Sequence, residues 1–161
     1  MRKGFTLIEM LIVIVVIGIL SSMMMLSSTE SVSSAKAADI ITSLNNIKIA
    51  ALAHYIDSFD VYNTTTTPDP ETMIACTRLY LHNGDAINMK TFENSGGDFY
   101  SIIPVTNKIW FVAYKFPTAG DSTQIKNKLA GRAHSAGLKA DKTTSAGDFT
   151  ASNTAVYMRV R

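Results

Sequence analysis

The chain reads as an α+β protein: one very long N-terminal helix set against a small antiparallel sheet from the C-terminal third. Three observations carry this reading. An apolar run from Phe5 to Leu26 passes directly into residues of helical period. No proline occurs before Pro68, and no glycine lies between Gly18 and Gly84. From about Phe99 the period changes to alternation of β-branched and aromatic residues.

The apolar run is long enough to cross a bilayer. At about 1.5 Å per residue it gives roughly 33 Å of helix, against a hydrocarbon core of about 30 Å. Arg2 and Lys3 precede it, which by the positive-inside tendency holds the N-terminus in the cytoplasm and sends the rest of the chain across. Beyond the run, Val32, Ala35, Ile40, Ile41, Leu44, Ile47, Ala51, Leu52, Tyr55 and Phe59 recur at spacings of three and four, an amphipathic stripe. One helix from Thr6 to Ser58 would measure roughly 80 Å. Its first half is a lipid-soluble stalk and its second half a wall of a globular head. The stripe lacks sustained heptads with flanking charges, which argues against a coiled coil.

Asn63 to Thr67 reads as a loop, and Asn63-Thr64-Thr65 fits a glycosylation acceptor pattern without demanding more than an ordinary loop. Asp69 then caps a second helix with Pro70 in its first turn; Met73, Ile74, Cys76, Tyr80 and Leu81 form its apolar side, and Gly84 stops it. Phe99–Ile103 and Lys108–Phe116 are strand runs joined by Pro104-Val105-Thr106-Asn107, an expected antiparallel hairpin. Asp121-Ser122-Thr123-Gln124 resembles a capping box opening a short helix through Leu129, ended by Gly131. Ala133 to Asn153 reads mostly as loop, and Ala155–Arg161 as a third strand. Inward sheet residues are expected against the stripe of the long helix.

Glu9 is the informative exception in the apolar run. A charge near a helix centre in lipid costs roughly 2.5 to 3.5 kcal/mol and usually marks function. A secretory signal peptide wants a small-residue cleavage site soon after the run; Leu20-Ser21-Ser22-Met23-Met24-Met25-Leu26 has none, and Ala35-Lys36-Ala37 comes too late. A plain signal anchor accounts for the span but leaves Glu9 unexplained.

Arg2-Lys3-Gly4-Phe5-Thr6-Leu7-Ile8-Glu9, followed by the apolar residues to Leu20, resembles the start of a type IV prepilin or a type II secretion pseudopilin. The resemblance covers about the first 30 residues. It implies a pilin fold, cleavage by a prepilin peptidase between Gly4 and Phe5, N-methylation of Phe5, and a role in assembly for Glu9. It divides the chain into a leader (1–4), a transmembrane and filament-core helix (5–26) and a head (27–161). Within the head, 27–58 is the amphipathic half of the helix, 59–98 a helix-and-loop connection and 99–161 the sheet region. The partners it implies are further copies of the chain in a helical filament, other pilins, the peptidase, inner-membrane assembly machinery, and membrane lipid before assembly. Loss of the leader removes Arg2 and Lys3 from 15 basic residues, leaving as many as the 13 acidic ones. In a bundle of such helices, Glu9 would meet the amine of Phe5 on a neighbouring subunit, an attraction strengthened by low dielectric and suited to fixing register. The alternative is that Glu9 snorkels to the headgroups. Gly18 and Ser22 supply one small-xxx-small pair for close helix approach, although Gly18 also reads as a softer point in the helix.

No catalytic set emerges. His54, His82 and His134 are scattered and Cys76 is the one cysteine, so an internal disulfide is impossible. Many type IVa pilins staple the C-terminal region with such a bridge, and this chain departs from them. No cofactor is expected. Calcium, which major pseudopilins use to fix a C-terminal loop, has only Asp121, Asp141 and Asp148 as candidate ligands, without the compact run of alternating acids it favours. Lys126, Lys128 and Arg132 form a small basic group that reads as a solvated helix face before it reads as a DNA contact. The expectation is a non-enzymatic filament subunit. Its alternatives are a periplasmic pseudopilus subunit, a minor or competence pilin in DNA uptake, or a membrane-anchored binding protein using the head alone.

Overall fold

A computed structural model describes residues 4–58, 67–81, 87–92, 97–106, 108–118 and 122–161, less the side chains of residues 26–28. In order, the elements are α1 (Leu7–Asp57), α2 (Pro70–Arg78), β1 (Phe99–Pro104), β2 (Trp110–Lys115), α3 (Thr123–Ala136), β3 (Leu138–Lys139) and β4 (Ala155–Arg159). The fold is α+β, a long N-terminal apolar helix with a small antiparallel sheet, consistent with the pilin fold.

Helix α1 runs unbroken for 51 residues from the Thr6 cap to Ser58, whose N–H closes it on the carbonyl of His54 at 3.0 Å. Its inward face is Ala37, Ile40, Leu44, Ile47, Ala51 and Tyr55, steps of three and four that form one edge of the core. The expected stripe holds from Ile40 onward and fails before it, since Val32 and Ala35 are exposed while Ser33 and Ala37 turn inward. The reason is α3, which lies along this stretch: Lys128 reaches Glu30 at 2.7 Å and Arg132 reaches Ser34 at 3.3 Å. Small side chains at 33 and 37 suit that close approach better than a valine would. Phe59 lies outside the described residues, as do the acceptor pattern at Asn63, His82 and Gly84.

Helix α2 begins as expected. The carboxylate of Asp69 accepts from the Thr72 N–H at 3.0 Å, and Pro70 occupies the first turn, where its missing N–H costs nothing. The helix ends at Arg78, earlier than the expected stop at Gly84. Three tighter i to i+3 bonds, made by the N–H groups of Leu79, Tyr80 and Leu81, finish the turn. Met73, Ile74 and Thr77 are its buried side; Cys76 is half-buried and Tyr80 exposed, so the apolar face is narrower than expected.

The sheet has four strands in the order β1-β2-β4-β3, every pair antiparallel. Register sorts the faces. Tyr100 opposite Tyr114, Ile102 opposite Val112, and then Val112 opposite Met158 and Tyr114 opposite Val156, form the face turned to α1. The hairpin and the C-terminal strand appear where expected, but the last strand enters beside β2 and makes β2 central. Hence Trp110 to Tyr114 are all buried and the strand does not alternate in burial. On the other face Phe92 packs against Phe99 and Tyr157, with the Lys115 amine 5.3 Å from the Phe92 ring centre. The free edge of β1 is partly covered, because Tyr100 exchanges backbone bonds with Asn88 and Lys90.

Helix α3 departs from its expected end. It passes through Gly131 to Ala136 and stops at Gly137, whose φ of 66° is the left-handed conformation that terminates helices. An interior glycine costs about 1 kcal/mol relative to alanine, less than the burial of Leu129 and the close fit of Ala133 supply. The Ser122 side chain makes no cap hydrogen bond, and Asp121 lies outside the described residues. The stretch expected as loop also holds β3 and a bridge between Lys139 and Asp148.

Cys76 is unpaired, and among the described residues packing closes the head. The Val160 N–H donates to the Trp110 carbonyl at 2.9 Å, Arg161 stacks over Tyr55 at 4.0 Å, and Tyr55 meets Trp110 edge-on at 5.2 Å. The C-terminus is thereby fastened to the last turns of α1.

Candidate assembly site

From Phe5 to Met25 every residue of the long helix and its lead-in is exposed among the described residues. Leu7, Ile8, Met10, Leu11 and the apolar side chains that follow are all exposed. A window of 18 residues in α1 has a mean hydropathy of 2.6 and is 0% buried. Among the described residues it is the one helix long and apolar enough to cross a membrane. Water is the wrong solvent for such a surface, which at about 25 cal/mol per Å² gains by entering lipid or the interior of an assembly.

Gly4, Phe5 and Thr6 are not helical and are exposed, so the bond between Gly4 and Phe5 lies on accessible, non-helical chain just ahead of α1. A side-chain carbon added at Gly4 would meet nothing within 4 Å, so its own fold does not require glycine there. An outside agent that must approach the backbone closely would.

Glu9 sits in the first turn of α1, where its charge opposes the positive end of the helix dipole. Its Oε2 accepts from the Thr6 N–H and from the Thr6 hydroxyl, both at 2.7 Å, while the Thr6 oxygen accepts from the Glu9 N–H at 3.3 Å. This reciprocal capping box satisfies backbone donors that would otherwise be bare at a helix start. The sequence reasoning missed Thr6, although the Thr-x-x-Glu spacing of Thr6-Leu7-Ile8-Glu9 was the available signal. All the bonds use one carboxylate oxygen; among the described residues Oε1 accepts none. A second donor arriving from outside can therefore be taken without breaking the cap.

Gly18 and Ser22 lie one turn apart on this bare helix. The Ser22 hydroxyl donates to the Ile19 carbonyl at 2.8 Å, and a carbon added at Gly18 would meet nothing within 4 Å. The pair thus offers a shallow place on the helix surface with its polar group already satisfied.

The weaker candidates are dispersed or engaged. Asp148 is held by Lys139 at 2.9 Å and His134 at 3.1 Å, and these hydrogen bonds, Lys139 first, keep its carboxyl below the usual aspartate range. The Asp141 carboxylate accepts from the Lys142 N–H at 2.6 Å, and Asp121 lies outside the described residues. Among the described residues no three acidic, histidine or cysteine side chains converge on a common point. In the basic group, Lys128 pairs with Glu30, Arg132 donates to Ser34, and Lys126 lies 5.1 Å from the Phe116 ring centre. All three cations tie α3 to its neighbours.

Comparison with known proteins bears on the same stretch. Residues 1–25 match the family model of the prokaryotic N-terminal methylation motif, the signature of type IV pilins and pseudopilins. No curated protein and no solved structure matches the chain. The motif supports a pilin-like or pseudopilin protein that is anchored in the membrane before assembly, and it implies processing by a prepilin peptidase and assembly into pilin-like filaments.

Proposed function

We propose that this chain is a non-enzymatic structural subunit of a type IV pilus or pilus-like filament. It is cut between Gly4 and Phe5, methylated on the new Phe5 amine, stored in the cytoplasmic membrane through residues 5–26, and polymerised through that same segment. The supporting observation is a coincidence: the methylation motif falls on a helix with a membrane-length window in which, among the described residues, no residue is buried.

The mechanism is a change of solvent. Lipid holds the apolar rod until an assembly machine lifts it out, and neighbouring rods then replace the lipid. Removal of Arg2 and Lys3 makes lifting cheaper, because two charges no longer anchor the end at the cytoplasmic face. Glu9 then checks docking. Thr6 keeps the carboxylate hydrogen-bonded within its own chain, and the vacant Oε1 receives the Phe5 amine of the adjacent subunit. A misregistered neighbour would leave an uncompensated charge, which in an apolar surrounding costs several kcal/mol.

Two measurements test the reading. Mass spectrometry of the mature protein should find methylated Phe5 at the N-terminus; intact Met1 would refute processing. Glu9→Ala should abolish filaments while the head stays folded by circular dichroism, and normal filaments from that variant would remove the role given to the carboxylate.

A further inference from the structure

A cavity of about 460 Å³ opens between α1, the start of β1, the end of β2 and the N-terminal end of α3, far from the apolar rod. Its inner wall is aromatic. Tyr100 and Tyr114, opposed across the hairpin, have ring centres 4.9 Å apart, and Phe116 meets Tyr114 edge-on at 5.0 Å. Tyr114 and Phe116 are buried, Tyr100 half-buried. Two exposed carboxylates from separate elements stand at the mouth, Asp39 on α1 and Asp98 just before β1.

The two acids act on the same hydroxyls. Tyr114 is hydrogen-bonded to Asp98, and both Asp39 and Asp98 lie close enough for their charge to be felt at Tyr114 and at Tyr100. Burial pushes the Tyr100 hydroxyl up to about 12 despite its bond to Ser43, and the field of the acids adds to the rise. Burial first, then the bond to Asp98, raises Tyr114 as well. The charge of both acids is therefore felt at the two tyrosines, and Lys36 in the lining and Lys126, 5.1 Å from the Phe116 ring centre, oppose it. Among the described residues neither acid forms an ion pair, although Lys36, one turn from Asp39, lines the same cavity.

That combination selects for charge and shape. An anion would meet two carboxylates, and a neutral ligand would leave them uncompensated. Calcium or magnesium takes six or more oxygens, whereas much of this wall is carbon, and among the described residues no three acidic, histidine or cysteine side chains converge for another metal. Phe116 already carries the Lys126 amine 5.1 Å from its centre and Phe149 stacked on it at 5.8 Å, so it adds apolar wall rather than a free cation-binding face. The complement of the carboxylate rim and the tyrosine rings is a positive head on a short apolar body. We propose that this cavity binds an organic cation, an alkylammonium group on a short aliphatic chain, with Asp39 and Asp98 receiving the ammonium and Tyr100, Tyr114 and Phe116 enclosing the chain. Lys36 sits as a like charge at the entrance and weakens the binding.

The full-length protein in nonionic detergent, titrated calorimetrically with n-butylammonium chloride, should show saturable one-to-one binding, and n-butanol should show none. Asp39→Asn, at an exposed position and expected to melt with the wild type, should weaken binding about tenfold through loss of one nearby charge. Asp98→Asn should act in the same direction, and Lys36→Ala should tighten binding. Tighter binding of Nα-acetyl-lysine methylamide than of n-butylammonium would assign the natural group to a protein side chain, and the reverse order to a free amine; either supports the site. Absence of saturable binding, equal binding of n-butanol, or an unchanged affinity in both asparagine variants would overturn it. Filament formation does not enter these measurements, so their failure would leave the proposed function standing.

Discussion

His54 shows how a single side chain is shaped by where its helix ends. It is buried in the last turn of α1, its ring 5.7 Å from that of Tyr80, and burial depresses its proton affinity against the smaller opposing pull of Asp57. With the folded value below the ordinary 6.5, the unfolded chain takes up the proton first on acidification. The stabilising contribution is thus complete above the ordinary value and is lost as pH falls through the lowered one. The denaturant midpoint of the wild type should drop between about pH 8 and pH 5 by more than that of His54→Leu, whose slope lacks this group. Gly137 is constrained through its backbone: at φ 66° a side chain is strained whatever space surrounds it. Gly137→Ala should lower stability by about 1 to 2 kcal/mol in denaturant titration, although nothing stands within 4 Å of the added carbon.

Helix α3 separates two kinds of contact that lie side by side in the chain. Lys128 and Arg132 make visible polar links to α1, while Leu129 and Ala133 are buried beneath them. The Glu30 carboxylate at the far end of the Lys128 link is exposed, so the pair is screened by water. Lys128→Ala should therefore change stability by less than about 1 kcal/mol, with the difference shrinking in high salt. Leu129→Ala should cost about 2 to 5 kcal/mol, independent of salt, because it empties a filled site against α1. The same hierarchy explains why the helix runs through Gly131: two buried contacts outweigh one flexible residue.

The assembled shape divides labour between a bare rod and a closed head. Among the described residues nothing in the head buries residues 5–25, so the anchoring strength of the rod depends on its own composition. Val15→Arg, placed in the middle of the run, should raise the cost of insertion by roughly 2.5 to 3.5 kcal/mol, seen as a shift from the membrane to the soluble or degraded fraction on cell fractionation. The head keeps its C-terminus by stacking Arg161 on Tyr55 and bonding Val160 to Trp110, both next to the end of α1. The sheet is thus joined to the C-terminal half of α1, whose N-terminal half is the bare rod.

Local chemistry was enough to reveal the rod, the unbroken α1, the Asp69 cap of α2 and the hairpin. Each depends on near neighbours in the chain: a run of apolar residues, a missing proline, an alternation. The Thr6 cap of Glu9 was equally local and was overlooked, being written in a spacing of three. Folding alone revealed the rest, because it depends on partners distant in the chain. The inward turn of Ser33 and Ala37 required α3 to lie against them from 98 residues away in the case of its Arg132 link to Ser34. The central place of β2, with both faces buried, followed from β4 pairing on its far side. The meeting of Asp39, Asp98 and the Tyr100–Tyr114 pair required α1 to cross the sheet. Short-range steric and solvation preferences act wherever a residue sits, whereas burial and convergence of charge exist only once remote segments have packed.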